Sequence, residues 1–185
     1  MNPAEQVFTH RIDDKDNIVF INEAWTEFAN ANNAASLCSL VVGHSIWNFI
    51  HGGDVIHVFR RLFATVRRHG EQLSFRFRCD SPTMRRYLRM EILPIADGGL
   101  EFHSRIEKEE PQPRVLRILD PQAPRNGESS VRMCAWCKKI ADGENWFEPH
   151  EALERMRLFD APTMPQITHG MCKECFDRMM QECVD

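Results

Sequence analysis

The chain has 185 residues, of which 43% are hydrophobic and 27% charged, with a net charge of −4. That length suits one ordinary domain, or one domain of about a hundred residues with a smaller appendage that needs a staple. No apolar run approaches the roughly 20 residues of a membrane-spanning helix.

The opening MNPAEQVFTHRIDDKD lacks a basic stretch followed by an apolar one, so no secretory signal is expected and the chain is read as cytoplasmic. Val7 to Arg11 and Asn17 to Ile21 read as two short strands around the turn-forming run Asp13-Asp14-Lys15-Asp16-Asn17. Asn22 is a good cap for a helix in NEAWTEFANANN that places Trp25, Phe28 and Ala29 on one face. After a polar stretch, Ser45 can cap a short turn carrying Ile46, Trp47 and Phe49 inward. DVIHVFRRLFATVRRHG has Val55, Val58, Phe59, Leu62, Phe63 and Val66 at helical spacing, with Gly70 as the stop.

From Gln72 the period changes to two. Leu73, Phe75 and Phe77 alternate with Ser74, Arg76 and Arg78, and Leu88, Met90 and Ile92 alternate with Arg89 and Glu91. After Asp97-Gly98-Gly99, a strand from Leu100 to Ile106 completes an antiparallel meander. This order of elements, with phrases such as NIVFINEAWTEFA, resembles a PAS domain over roughly residues 6 to 107. The resemblance implies an α+β fold, a PAS-like five-stranded antiparallel sheet with helices on one face, and leaves a small C-terminal module outside it.

The expected division is a PAS-like domain over 1–110, a Pro-rich linker over 111–130 and a four-cysteine metal-binding module over 131–185. The linker includes an apolar phrase, VLRIL, suited to a short edge strand or to packing on the sheet. Residues 131–185 hold 7 Lys+Arg against 10 Asp+Glu, and that acidity disfavours nucleic acid as the main partner.

Seven cysteines are present, and four of them, Cys134, Cys137, Cys172 and Cys175, form two CxxC pairs. In a cytosolic chain such pairs point to metal or redox chemistry in preference to a disulfide framework. Two intervening residues turn both sulfurs toward one point, and two such knuckles make a tetrahedral, closed site that cannot activate water. Zinc is favoured, with iron or an iron–sulfur cluster as the alternative for the same sulfur set. His169, three residues before Cys172, is a candidate substitute ligand or a donor to a thiolate. Cys38, Cys79 and Cys183 are read as isolated thiols.

The tail also resembles a cysteine-rich module of bacterial signalling proteins, whose pattern is CxWCKK, a Trp, an acidic helix and (Ser/Thr)-His-Gly-x-Cys-Pro-x-Cys. Cys134, Trp136, Cys137, Lys138, Lys139, Trp146, Glu151, Thr168, His169, Gly170, Cys172 and Cys175 match it, whereas Lys173 stands where the pattern has Pro.

PAS relatives often enclose a cofactor. The flavin-binding phrase Gly-x-Asn-Cys-Arg-Phe is absent, and haem-binding members use a histidine on the long helix, which makes His57 a candidate ligand. On the 3.6 period, however, His57 lies beside the Val55, Val58 and Leu62 stripe, where a surface or packing role is preferred. Arg76, Arg78, Arg85, Arg86 and Arg89 form a basic run that reads as a wet sheet face balanced by Asp80 and Glu91, with a docking face for an acidic partner as the other reading.

No Ser-His-Asp order, phosphate-cradling glycine loop or HExxH helix occurs, and Asp13, Asp14 and Asp16 sit in a turn, so no enzyme activity is expected. The resulting expectation is a non-catalytic sensor or adaptor in bacterial signal transduction that signals to another signalling protein. The resemblance implies a homodimer. A redox sensor using iron, an iron–sulfur cluster or oxidisable zinc thiolates is the first alternative, and a nucleic-acid-binding zinc ribbon the second.

Overall fold

The computed structural model describes residues 6–183, the side chains of residues 36 and 37 excepted. The Asp13 carboxylate accepts the backbone N–H groups of Lys15 and Asn17, at 2.9 and 2.8 Å. This closes the turn between β1 (Phe8–Ile12) and β2 (Ile18–Ile21), which pair antiparallel. Asn22 caps α1 (Glu23–Ala31) by accepting the Trp25 N–H at 2.9 Å. The stretch read as merely polar contains a short helix, α2 (Ala35–Leu40).

Ser45 caps the 3-10 turn Ile46–Asn48 by accepting the Trp47 N–H. Of the residues expected inward there, Ile46 is buried, while Phe49 is exposed. Trp47 is half-buried and donates its indole N–H to Asp16 at 2.9 Å. Asp16 also accepts Arg67, so this part of the acidic turn is tied to the long helix.

That helix, α3 (Gly53–His69), buries Val55, Val58, Leu62, Phe63 and Val66, each contributing about 2 kcal/mol as area removed from water. It stops at Gly70, whose φ of 68° is a left-handed conformation that only glycine adopts without steric cost. The chain then forms the meander β3 (Leu73–Arg78), β4 (Met84–Pro94) and β5 (Leu100–Pro111), and β5 also pairs with β1. The five-stranded antiparallel sheet therefore runs β2-β1-β5-β4-β3. Ile12, Ile18, Leu73, Phe75, Ile92, Leu100 and Phe102 pack on α3 from one face, and Phe8, Leu88 and Ile106 pack on Trp25 and Phe28 of α1. This is the α+β, PAS-like architecture that the element order implied.

The opposite face is wet. Arg76 and Arg89 both reach Glu107 there at 2.7 Å, whereas Arg86 lies on the helix side, over the Phe28 ring of α1, and pairs with Glu109 at 2.9 Å. Arg78, which the alternation placed on this face, is buried instead. It pairs with Asp80 and, at 2.8 Å, with Glu148 far along the chain.

Residues 111–130, expected as a linker, are pinned. Gln112 N–H bonds the Thr83 carbonyl, Leu116 N–H bonds the Pro82 carbonyl, and Leu116 and Ile118 are fully buried. The apolar phrase thus packs as a short turn, Arg117–Leu119, and forms no edge strand.

The remaining residues form β6 (Arg125–Cys134), β7 (Ile140–Asp142), β8 (Asn145–Phe147), α4 (Pro149–Arg155), β9 (Met164–Gly170) and α5 (Lys173–Gln181). Their sheet runs β8-β7-β6-β9, with β6 and β9 parallel. Ile118, Val131, Met133, Ile140, Ala152, Leu153 and Met164 make a small core of their own. Cys134, Trp136, Met171, Cys172, Cys175, Met179 and Cys183 instead belong to the same core as α3. No helix among the described residues is long and apolar enough to cross a membrane.

Candidate metal centre

The first CxxC pair leaves the end of β6 in a tight turn. Cys134 N–H bonds the Lys139 carbonyl at 2.8 Å, Lys138 N–H bonds the Cys134 carbonyl at 3.0 Å, and Lys138 takes a left-handed φ of 63°. The second pair is a helix start. Cys172 occupies the N-cap position of α5 and Cys175 lies in its first turn, so the positive end of the helix faces the sulfurs. Lys173, which stands where the pattern has Pro, is the first helical residue, a position that favours Pro without requiring it.

The parallel pairing of β6 with β9 sets Cys134 opposite Gly170 and so brings the two pairs together. The four sulfurs lie within 4.8 Å of one another, all four thiols are free, and Cys134, Cys172 and Cys175 are buried. A tetrahedron with metal–sulfur bonds of about 2.3 Å has sulfurs about 3.8 Å apart. Cys137 and Cys172 are 3.7 Å apart, which fits that tetrahedron and is far too long for a disulfide.

The electrostatics point the same way. Hydrogen bonds from Cys137 and Cys175 pull the Cys134 thiol well below its ordinary pKa. The same contact with Cys134 pushes Cys137 up to about 12 and raises Cys175. One thiolate forms readily, and its charge then opposes ionisation of its neighbours. A cation among the sulfurs removes that opposition, and four thiolates around a dication leave a net negative charge that the site must balance.

Two cations and a backbone donor are in place to do so. Arg178 donates to Cys175 Sγ at 3.7 Å, and Cys172 N–H points to Cys134 Sγ at 3.5 Å. Burial works to lower the Lys139 pKa, but Glu174 and the nearby Cys137 and Cys172 thiols outweigh it, so Lys139 stays charged beside the cluster. Arg178 carried no sequence signal, because its contact depends on α5 starting at Lys173, with Cys172 as its cap.

His169 is not among the residues whose ligand atoms converge. It lies on β9 with an exposed side chain, and its carbonyl abuts Gly52, where an added Cβ would strike it. Partial desolvation of the ring beside the sheet, followed by the Lys138 and His51 charges, lowers its pKa. His57 does not point into the sheet–helix core. Its ring is exposed and stacks on Phe176 of α5 at 6.3 Å.

The centre is joined to the five-stranded sheet at several points. Trp136, between the first two cysteines, packs against Phe59 and Phe75 with ring centroids 5.1 and 5.6 Å away. Its carbonyl accepts the Arg78 N–H at 2.7 Å. Arg132 pairs with Asp54 at the start of α3, and Glu148, which caps α4, receives Arg78 and Arg85.

No protein-family model matches the chain, and no curated protein matches it either. Among solved structures, the chain is similar to the PAS-B domain of Drosophila melanogaster Cycle, a tryptophan-to-alanine variant with bound glycerol. The identity is 14% and the TM-score 0.37, with 54% of this chain and 98% of that domain covered. The PAS-like character of the first half rests on its strand order and helical layer, not on that likeness.

Proposed function

We propose that the chain is a non-catalytic sensor or adaptor of bacterial signal transduction, in which zinc at Cys134, Cys137, Cys172 and Cys175 clamps the cysteine-rich segment onto a PAS-like unit. The supporting observation is that three of the four cysteines share one buried core with α3 and the inner face of the sheet. A change in that core therefore reaches the metal, and a change at the metal reaches the core.

Four sulfurs leave a zinc ion no open position, so the site supplies folding free energy and no bound nucleophile. Output then passes by contact, through a homodimer or to another signalling protein in the cytoplasm. Elemental analysis of the freshly purified chain, read with its visible spectrum, tests the assignment. One zinc per chain and no colour are expected; iron with visible absorption would move the reading to a redox sensor, and absence of metal would remove the clamp.

A further inference from the structure

Beside the metal centre, the sheet–helix unit contains a slot that the first cysteine turn fills. Phe59 of α3, Phe75 and Phe77 of β3 and Met90 of β4 line it together with Ala135 and Trp136, and an apolar cavity of about 60 Å³ remains inside. Three aromatic rings and a thioether suit a flat π-system. Here the chain supplies that π-system itself, as the indole of Trp136, which is 2% exposed.

Two observations show what holds the indole in place. Its buried Nε1 has no hydrogen-bond partner among the described residues, so no polar contact fixes the ring. The backbone of the turn does: the Trp136 carbonyl holds Arg78 N–H, Ala135 N–H holds the Gly170 carbonyl, and the cysteines on either side are metal ligands in the reading above. The position of the ring is thus set by the geometry of the metal turn.

We propose that the slot is a binding site for a flat, uncharged aromatic molecule of about indole size, filled in cis by Trp136 while the four cysteines hold their metal and vacated when the metal leaves. This rests on the metal reading of the preceding subsection. With the ring withdrawn, the slot gains the space of an indole beside the existing 60 Å³, room for one flat ring system of that size. The occupant must be apolar, because the lining residues are Phe, Met, Ala and Trp.

Indole is the probe. The full chain is titrated with it in three forms: metal-loaded, chelator-treated and metal-loaded Trp136→Ala. Saturable uptake is expected in the second and third forms and not in the first. Chelation should also red-shift the emission of the wild-type chain but not that of Trp136→Phe, with far-ultraviolet circular dichroism retained. Equal uptake by the metal-loaded wild type and Trp136→Ala overturns the proposal, as does no uptake by a Trp136→Ala chain that keeps its metal. Unchanged emission from a chain shown to have lost its metal also overturns it. If Trp136→Ala does not fold, Trp136→Leu takes its place. A chain that never holds metal contradicts the metal reading and with it the gating, while the Trp136→Ala arm decides the slot by itself.

Discussion

Arg78 is the residue at which a surface reading of the alternation fails most clearly. Its side chain is 7% exposed and Asp80 beside it is fully buried, with Gln112 and the Arg86 N–H completing the carboxylate's partners. Burial alone would lower the arginine's pKa; Asp80 and then Glu148 outweigh it and keep the charge. Replacing Arg78 by Met should cost about 3–5 kcal/mol in chemical denaturation, because it strands a buried carboxylate. Adding Asp80→Asn to that variant should recover part of the loss. His10 gives a pH signature. It is half-buried and stacks on Phe102 at 4.3 Å, and burial lowers its pKa from 6.5 to about 4. The unfolded chain takes up this proton first, so His10's contribution is intact above about pH 6.5 and is lost as pH falls toward 4. In that window the stability of His10→Gln should fall less steeply than that of the wild type, by up to about 1.4 kcal/mol per pH unit.

At the scale of elements, the five-strand unit was legible wherever one face is wet. The hairpin, the Asn22 cap, the long helix ending at Gly70 and the three alternating strands all follow local periodicity and cap chemistry. Four metal-type cysteines were legible from spacing alone. What periodicity could not show was the β6–β9 parallel pair, whose residues are 30 or more apart in the chain and which is the pairing that assembles the site. The short strands β7 and β8, three residues each, carry no alternation to read. The apolar phrase in the proline-rich stretch was visible, but its partners Met164 and Leu153 lie well downstream. The second cysteine pair shows how helix geometry explains a sequence departure. Cys172 has φ −73° and ψ 153°, an extended conformation compatible with a following proline, and Lys173 is the first residue of α5. Lys173→Pro should therefore raise stability by about 0.4–1 kcal/mol, less what is lost with the exposed Lys173–Asp177 pair, and should leave metal stoichiometry unchanged. A clear loss of melting temperature would mean that the Lys173 N–H is needed by the site.

For the whole molecule, the decisive feature is that the cysteine-rich segment has two cores with different dependence on the metal. Ile118, Met133, Ile140, Leu153 and Met164 close one side of its sheet without the cysteines. Cys134, Trp136, Cys172, Cys175 and Met179 close the other side against α3. Thin apolar content alone would make the whole segment collapse without metal; the first core makes local release the expected outcome, since regions with their own buried contacts open at higher free energy. Hydrogen exchange on the metal-loaded and metal-stripped chain tests this most directly. Stripping should remove protection together from the turn at 134–139, from α5 and from the face of α3 beneath it, while β6, β9 and α4 around the first core stay protected. Identical protection in the two states, or its uniform loss across both cores, would contradict the claim that a metal at the four cysteines clamps this segment onto the sheet–helix unit.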